Sequence, residues 1–149
     1  MKLRGDEAAT IAPDSEPVGE FSVLIVEDNP HIVDLYEYVI RRLAARELGG
    51  KIPVVVDHAP DGHQAMELLG SKKFHLVLTD LFMPVMDGFS LVEKIRADPL
   101  LNGTRIAVIS GGGLESQQRV MALGGDAYLR KPVQLEGVTQ TLKQLLAIA

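Results

Sequence analysis

Four apolar runs along the chain each end on a polar residue. Val23-Leu24-Ile25-Val26 passes into Glu27-Asp28, and Leu76-Val77-Leu78-Thr79 into Asp80. Ile106-Ala107-Val108-Ile109 passes into Ser110, and Ala127-Tyr128-Leu129 into Arg130-Lys131-Pro132. Unbroken runs rich in Val, Ile and Leu read as strands covered on both faces, as in parallel sheets; half-exposed strands alternate instead. Ile52 to Val56 is a further strand, second in chain order. Between the strands the period changes to that of a helix. Ile32, Leu35, Tyr36, Val39, Ile40 and Leu43 recur at helical spacing after Asn29-Pro30, a capping residue and a first-turn proline, and Gly49-Gly50 closes the helix. A short helix opens at Asp61-Gly62 with Ala65, Leu68 and Leu69. Another carries Leu91, Val92 and Ile95 and stops near Asp98-Pro99. A fourth runs from about Leu114 to Leu123, and the last carries Leu135, Val138, Leu142, Leu145 and Leu146.

Strict alternation of strand and helix predicts an α/β fold, a doubly wound (βα)5 domain with helices on both faces of a five-stranded parallel sheet. The flavodoxin-like order 2-1-3-4-5 sets the first and third strands side by side, and ligands of open parallel sheets bind beyond the carboxyl ends of the strands. Glu27, Asp28, Asp80, Ser110 and Lys131 then fall on one rim. Acids there suit a divalent cation, and a lysine with a hydroxyl suits a phosphoryl group. Residues 1–20 are polar, with Pro13 and Pro17, and are expected to form a flexible tail; residues 21–149 form one domain.

Composition narrows the field modestly. A chain of 149 residues with 46% apolar residues suits one domain with one core. A net charge of −5 argues against direct nucleic-acid binding. Without cysteine there is no disulfide and no thiolate metal site. No apolar stretch reaches spanning length and no signal-peptide core is visible, so a cytoplasmic protein without membrane insertion is expected. The four histidines, His31, His58, His63 and His75, lack metal-ligand spacing. Gly111-Gly112-Gly113 lacks the Lys-Ser/Thr of a phosphate-binding P-loop and reads as a mobile connection. Asp87 serves the turn with Gly88 rather than a metal.

Taken together, these residues resemble the receiver domain of bacterial two-component response regulators. The resemblance rests on Glu27-Asp28, on Asp80 within Thr79-Asp80-Leu81-Phe82-Met83-Pro84-Val85-Met86-Asp87-Gly88, on Ser110, on Tyr128 and on Lys131-Pro132, and it covers Phe21 to Ala149. It implies that Asp80 accepts a phosphoryl group from a sensor histidine kinase or a histidine phosphotransferase, covalent capture on a carboxylate. It implies Mg²⁺ held by Asp28, Asp80 and the main-chain carbonyl of Phe82, with Glu27 acting through water. Lys131 would pair with a phosphoryl oxygen, Ser110 would donate its hydroxyl, Gly111 would offer its backbone, and the Lys131–Pro132 peptide would be cis. On phosphorylation Ser110 would move and Tyr128 would turn inward, changing the surface offered to a downstream protein target. No enzyme activity is expected beyond self-catalysed phosphoryl transfer and dephosphorylation. The alternatives are a receiver-like interaction module whose phosphosite is idle, and a receiver piece of a larger regulator or hybrid kinase. A hydrolase of the haloacid dehalogenase type would need an aspartate where Phe82 stands.

Overall fold

Apolar runs such as Val23–Val26 and Ile106–Ile109 can sit only where both faces of a sheet are covered. The computed structural model, which describes residues 19–47, 49–132 and 134–148, buries both of these runs. The order of elements is β1 (Phe21–Val26), α1 (Pro30–Glu47), β2 (Val54–Ala59), α2 (Gly62–Ser71), β3 (Leu76–Thr79), α3 (Gly88–Ala97), a short 3-10 turn (Pro99–Leu101), β4 (Arg105–Ser110), α4 (Leu114–Leu123), β5 (Ala127–Arg130) and α5 (Leu135–Ile148). All five strands are parallel, as the alternation predicts, and they lie in the order β2-β1-β3-β4-β5, that of the flavodoxin-like fold. Residues 1–18, most of the expected tail, lie outside the described residues.

Two cores flank the sheet. Leu24, Val26, Val77, Ile106 and Val108 face Leu69, Leu91, Val92, Ile95 and Val120 of α2, α3 and α4. Val23, Ile25, Leu78, Ala107 and Ile109 face Val33, Val39, Ile40, Leu43, Val138 and Leu142 of α1 and α5. Each fully buried aliphatic side chain contributes about 1.5–3 kcal/mol, and these clusters fix the register of every strand.

β2 differs from the sequence reading. It starts at Val54, not Ile52, and continues through Asp57 and His58 to Ala59. The apolar run ends at Val56, but pairing with β1 continues through Leu24↔Asp57, Ile25↔His58 and Val26↔Ala59. β2 is an edge strand, so its side chains are half-exposed and polar residues fit there. Helix starts follow capping chemistry: Asp61 accepts from Gln64 N at 2.8 Å, and Asp87 accepts from Ser90 N at 2.9 Å.

At the amino-terminal rim, His75 bridges β1 and β3. Its Nδ1 accepts from Ser22 N at 3.1 Å, its N donates to Ser22 O at 2.9 Å, and its ring stacks on Phe21 at 5.4 Å. Nδ1 can accept only when unprotonated. Burial, and secondarily the charge of Lys73, lowers the pKa of His75, while Glu20 opposes the shift. A group with a depressed folded pKa contributes stability above its unfolded pKa, and that contribution is lost as pH falls through the folded value. Melting temperatures measured downward from neutral pH should therefore fall more steeply in the wild type than in His75→Leu. Identical slopes in the two proteins would remove the imidazole from the account.

Candidate functional site

Parallel pairing brings the acids together. Val26 is in register with Thr79, and Asp80 N donates to Val26 O at 3.1 Å, so Glu27 and Asp80 leave neighbouring strands side by side. Glu27 N donates to Ala59 O at 3.0 Å, tying the same corner to β2. The Glu27 side chain is buried, with only 6% of the residue exposed; Oε2 accepts from Asn29 N at 3.0 Å, and Oε1 has no hydrogen-bond partner. Burial pushes its carboxyl above the usual glutamate range. The Asn29 N–H works against this, while the adjoining Asp28 carboxyl and the Asp80 charge add to it, and the Lys131 ammonium opposes them. Two carboxyls bond each other only when one carries a proton, so with both ionised Oε1 is left without a donor.

Asp80 is held on both oxygens. Oδ1 accepts from Leu81 N at 2.7 Å, and Oδ2 lies 3.2 Å from Lys131 Nζ. Thr79 Oγ1 fixes the main chain by donating to Asp80 O at 2.8 Å. Lys131 arrives through the pairing of β4 with β5: Ser110 is in register with Arg130, Lys131 N donates to Ser110 O at 2.8 Å, and the Lys131–Pro132 peptide is cis. The lysine is partly solvated, so the ion pair contributes at most about 1 kcal/mol to stability. Its consequence is positional, a cation set against the carboxylate.

Ser110 also lies at this rim, at the end of β4, but is fully buried, and its Oγ accepts from Gly112 N at 3.1 Å. Tyr128 packs against the α2–α4 core and donates its hydroxyl to Gly112 O at 3.0 Å. Gly112 is thus hydrogen-bonded through both its N–H and its carbonyl. A Cβ on it would stand 2.6 Å from Ser116 Oγ and 2.8 Å from Ser116 Cβ, so glycine is what lets the loop pass. Gly111 is exposed beside it. Asp28 is exposed at the mouth. Phe82 is 60% exposed and lies edge-on to Phe89, which carries the Arg119 guanidinium 4.0 Å over its ring.

Two features escape sequence reasoning. Glu27 and Asp28 line a cleft of about 310 Å³ together with Asp34, His58, Pro30, Val33 and Pro60, so the acidic rim extends toward β2. The buried phenol of Tyr36 feels the site as well: burial first, then the charges of Glu27 and Asp80, push its pKa up to about 12. In the sequence Tyr36 is only one more residue of an apolar stripe.

Hard oxygen donors suit a hard divalent cation. Among the described residues, no three acidic or imidazole side chains are gathered closely enough to cage a metal by themselves. The buried, unpartnered Glu27 Oε1 beside Asp28 and Asp80 nevertheless fits a cation that takes few protein carboxylates and completes its shell with a carbonyl and water, the habit of Mg²⁺.

The fold and the rim together define a class, the doubly wound α/β domains whose switch-point cleft sets acids against a lysine. The model of the response regulator receiver domain matches residues 23–143, and the chain belongs to that family, the receivers of two-component signalling. It is 31% identical over 146 residues to the sensor histidine kinase RcsC of Escherichia coli, an alignment covering 95% of this chain and 14% of that protein. The chain therefore spans a small part of that relative. A chemotaxis response regulator of Vibrio cholerae superposes with a TM-score of 0.72 at 25% identity, covering 85% of this chain and 98% of that one. The receiver domain of a sensor histidine kinase from Pseudomonas aeruginosa, solved with a magnesium ion coordinated in its active-site cleft, superposes with a TM-score of 0.71 at 25% identity, covering 87% and 99%. Among the described residues no helix is long and apolar enough to cross a membrane.

Proposed function

We propose that this chain is a phosphoacceptor switch, loaded on Asp80 by a sensor histidine kinase or a histidine phosphotransferase and read by a downstream protein. The observation that carries the reading is Asp80 Oδ2 held 3.2 Å from Lys131 Nζ beside the unpartnered buried oxygen of Glu27. An Asp80 oxygen attacks the phosphorus of a phosphohistidine. The new O–P bond forms as the P–N bond breaks, and the departing imidazole keeps the electron pair and takes up a proton. Lys131 moves its charge from the carboxylate to a phosphoryl oxygen, and the hydroxyl of Ser110 turns from Gly112 to donate to another. The Gly111 backbone borders the same space. Asp28, Asp80, the Phe82 carbonyl and, through water, Glu27 would hold Mg²⁺, whose charge offsets that of the incoming phosphoryl group.

Release of Gly112 by Ser110 couples the site to Tyr128 and to the surface of α4, β5 and α5, a population shift rather than a new fold. The chemistry is self-modification and its reversal, without a separate substrate to turn over. The same site serves a free-standing regulator or the receiver segment of a hybrid kinase, and the alignment with a sensor kinase favours the second setting as much as the chemotaxis regulator favours the first. A kinase charged by ATP places the chain in the cytoplasm.

Acetyl phosphate tests the reading. With Mg²⁺, intact-mass spectra should show one added phosphoryl group that alkali removes, as an acyl phosphate requires; with excess EDTA the adduct should vanish. An adduct unaffected by EDTA would end the metal-dependent part of the proposal, and absence of any adduct would leave the idle interaction module.

A further inference from the structure

Two buried side chains beside the phosphoacceptor cleft each hold a polar atom that lacks a partner. Glu27 Oε1 has no donor among the described residues, although Oε2 accepts from Asn29 N at 3.0 Å. Tyr36 is 5% exposed, and among the described residues its hydroxyl makes no hydrogen bond. A buried tyrosine hydroxyl ordinarily finds a partner, and a position that only packed would be served as well by phenylalanine or leucine. One of the two atoms is an acceptor without a donor, and the other carries a proton without an acceptor.

Both side chains lie on one face of the sheet. Side chains alternate along a strand, and Val23 and Ile25 of β1, like Leu76 and Leu78 of β3, point into the α1–α5 core. Backbone pairing runs on past both strands, through Glu27 N to Ala59 O and Asp80 N to Val26 O, so Glu27 and Asp80 fall on that same side. Tyr36 belongs to this core, and Val33, one turn before it on the buried face of α1, lines the cleft with Glu27. α1 starts at Pro30, three residues after Glu27, and runs back along the sheet, which puts the Tyr36 backbone about 9 Å below the helix start. A long side chain on a helix leans over the preceding turn, roughly 5 Å back toward the N-terminus, and this lifts the phenol to the level of Glu27. After burial, the charges of Glu27 and then Asp80 are what the phenol feels. Other donors are engaged, absent or in solvent: Asn29 N serves Oε2, Lys131 Nζ serves Asp80, Pro30 and Pro60 have no N–H, and His58 is exposed.

We propose that Tyr36 is a positioning residue of the phosphoacceptor site, its hydroxyl donating to a bridging water that in turn donates to Glu27 Oε1. The carboxylate is thereby held in the orientation from which it serves the cation, as outer partners of metal-binding groups generally do. The inference rests on the phosphoacceptor reading above and adds a residue to that site. Tyr36 acts through Glu27 and touches neither the phosphoryl group nor the cation.

The test titrates wild type, Tyr36→Phe, Glu27→Ala and the double variant with Mg²⁺ by isothermal calorimetry. Tyr36→Phe keeps the packed ring and should melt within about 2 °C of wild type without metal. It should bind Mg²⁺ roughly five- to ten-fold more weakly, the low end of what an outer partner supplies, since Glu27 itself acts through water. In the Glu27→Ala background the same substitution should change the affinity less than about two-fold, because the oxygen it serves is gone. With acetyl phosphate the loss should lie in the Mg²⁺ needed for half-maximal labelling and not in the plateau rate. Mg²⁺ affinity of Tyr36→Phe within about two-fold of wild type overturns the proposal. So does an equal loss in both Glu27 backgrounds, which would make the phenol a packing element of the whole cleft. A metal-free melting temperature lower by more than the stated margin also overturns it, by giving the hydroxyl a structural use. Wild type that binds no Mg²⁺ sinks the cation part of the phosphoacceptor reading and this inference with it, whereas the other adverse results strike the inference alone.

Discussion

Asp80→Asn should abolish the acyl-phosphate adduct while leaving the domain folded. A carboxylamide lacks the anionic oxygen that attacks phosphorus, and a loss of at least about a thousand-fold, equivalent to roughly 4 kcal/mol in the barrier, is expected. Stability should respond far less. The variant loses a partly solvated ion pair to Lys131, worth at most about 1 kcal/mol, and gains relief from the repulsion between Asp80 and buried Glu27. The pH dependence carries a second signature. Glu27 titrates above its usual range, so its contribution to stability is fully present below about pH 4.5 and is lost as pH rises through the folded pKa. Burial, the main cause, survives the substitution, but the contribution of the Asp80 charge does not. Stability should therefore fall less steeply above pH 4.5 in Asp80→Asn than in wild type. Thermal melts across that range, run beside intact-mass spectra after acetyl phosphate treatment, read both effects. A persistent adduct in the variant would mean that another nucleophile takes the phosphoryl group.

Gly88→Ala is the substitution with the largest expected effect on stability. A Cβ there would stand 2.4 Å from Asp80 O, 2.7 Å from Leu81 Cα and 2.9 Å from Leu81 Cδ2. Two of these atoms are main chain and cannot swing aside. Relief requires the start of α3 to move away from the phosphoacceptor loop, which strains the Gly88 N to Leu81 O bond of 2.7 Å and the Asp87 cap on Ser90 N. Overpacking, one cap and one hydrogen bond together amount to about 3–4 kcal/mol, or roughly 6–16 °C in melting temperature for a domain of this size. The main chain of Asp80 would move too, so labelling by acetyl phosphate should drop in parallel. Gly111→Ala is the control, because a Cβ at Gly111 meets nothing within 4 Å. A Gly88→Ala protein as stable as Gly111→Ala would contradict the close approach described for this loop.

The legible parts of the molecule were those in which one residue type has one physical use. Apolar runs such as Val23–Val26 and Leu76–Thr79 have no other home than a sheet covered on both faces, and Asp61 and Asp87 cap helices by local geometry alone. β2 was shifted because an edge strand is set by backbone pairing, not by hydrophobicity, so Asp57 and His58 looked like loop. Arg96 was silent for a related reason. Its guanidinium donates to Gly124 O, Thr104 O and Asp126 Oδ2, each at 2.8 Å, joining α3 to two loops that no sequence period connects.

By itself the sequence determined the alternation and the chemistry at each strand end, because periodicity and capping are local and an acid that closes a parallel strand falls at the rim. Tertiary structure alone decided which atoms meet: that Lys131 lies 3.2 Å from Asp80, that Ser110 and Tyr128 grip the same glycine, and that Glu27 keeps one oxygen without a donor. The physical reason is distance along the chain. Asp80 and Lys131 are 51 residues apart, and such a contact is closed by the packing of every element between them, which no local pattern encodes.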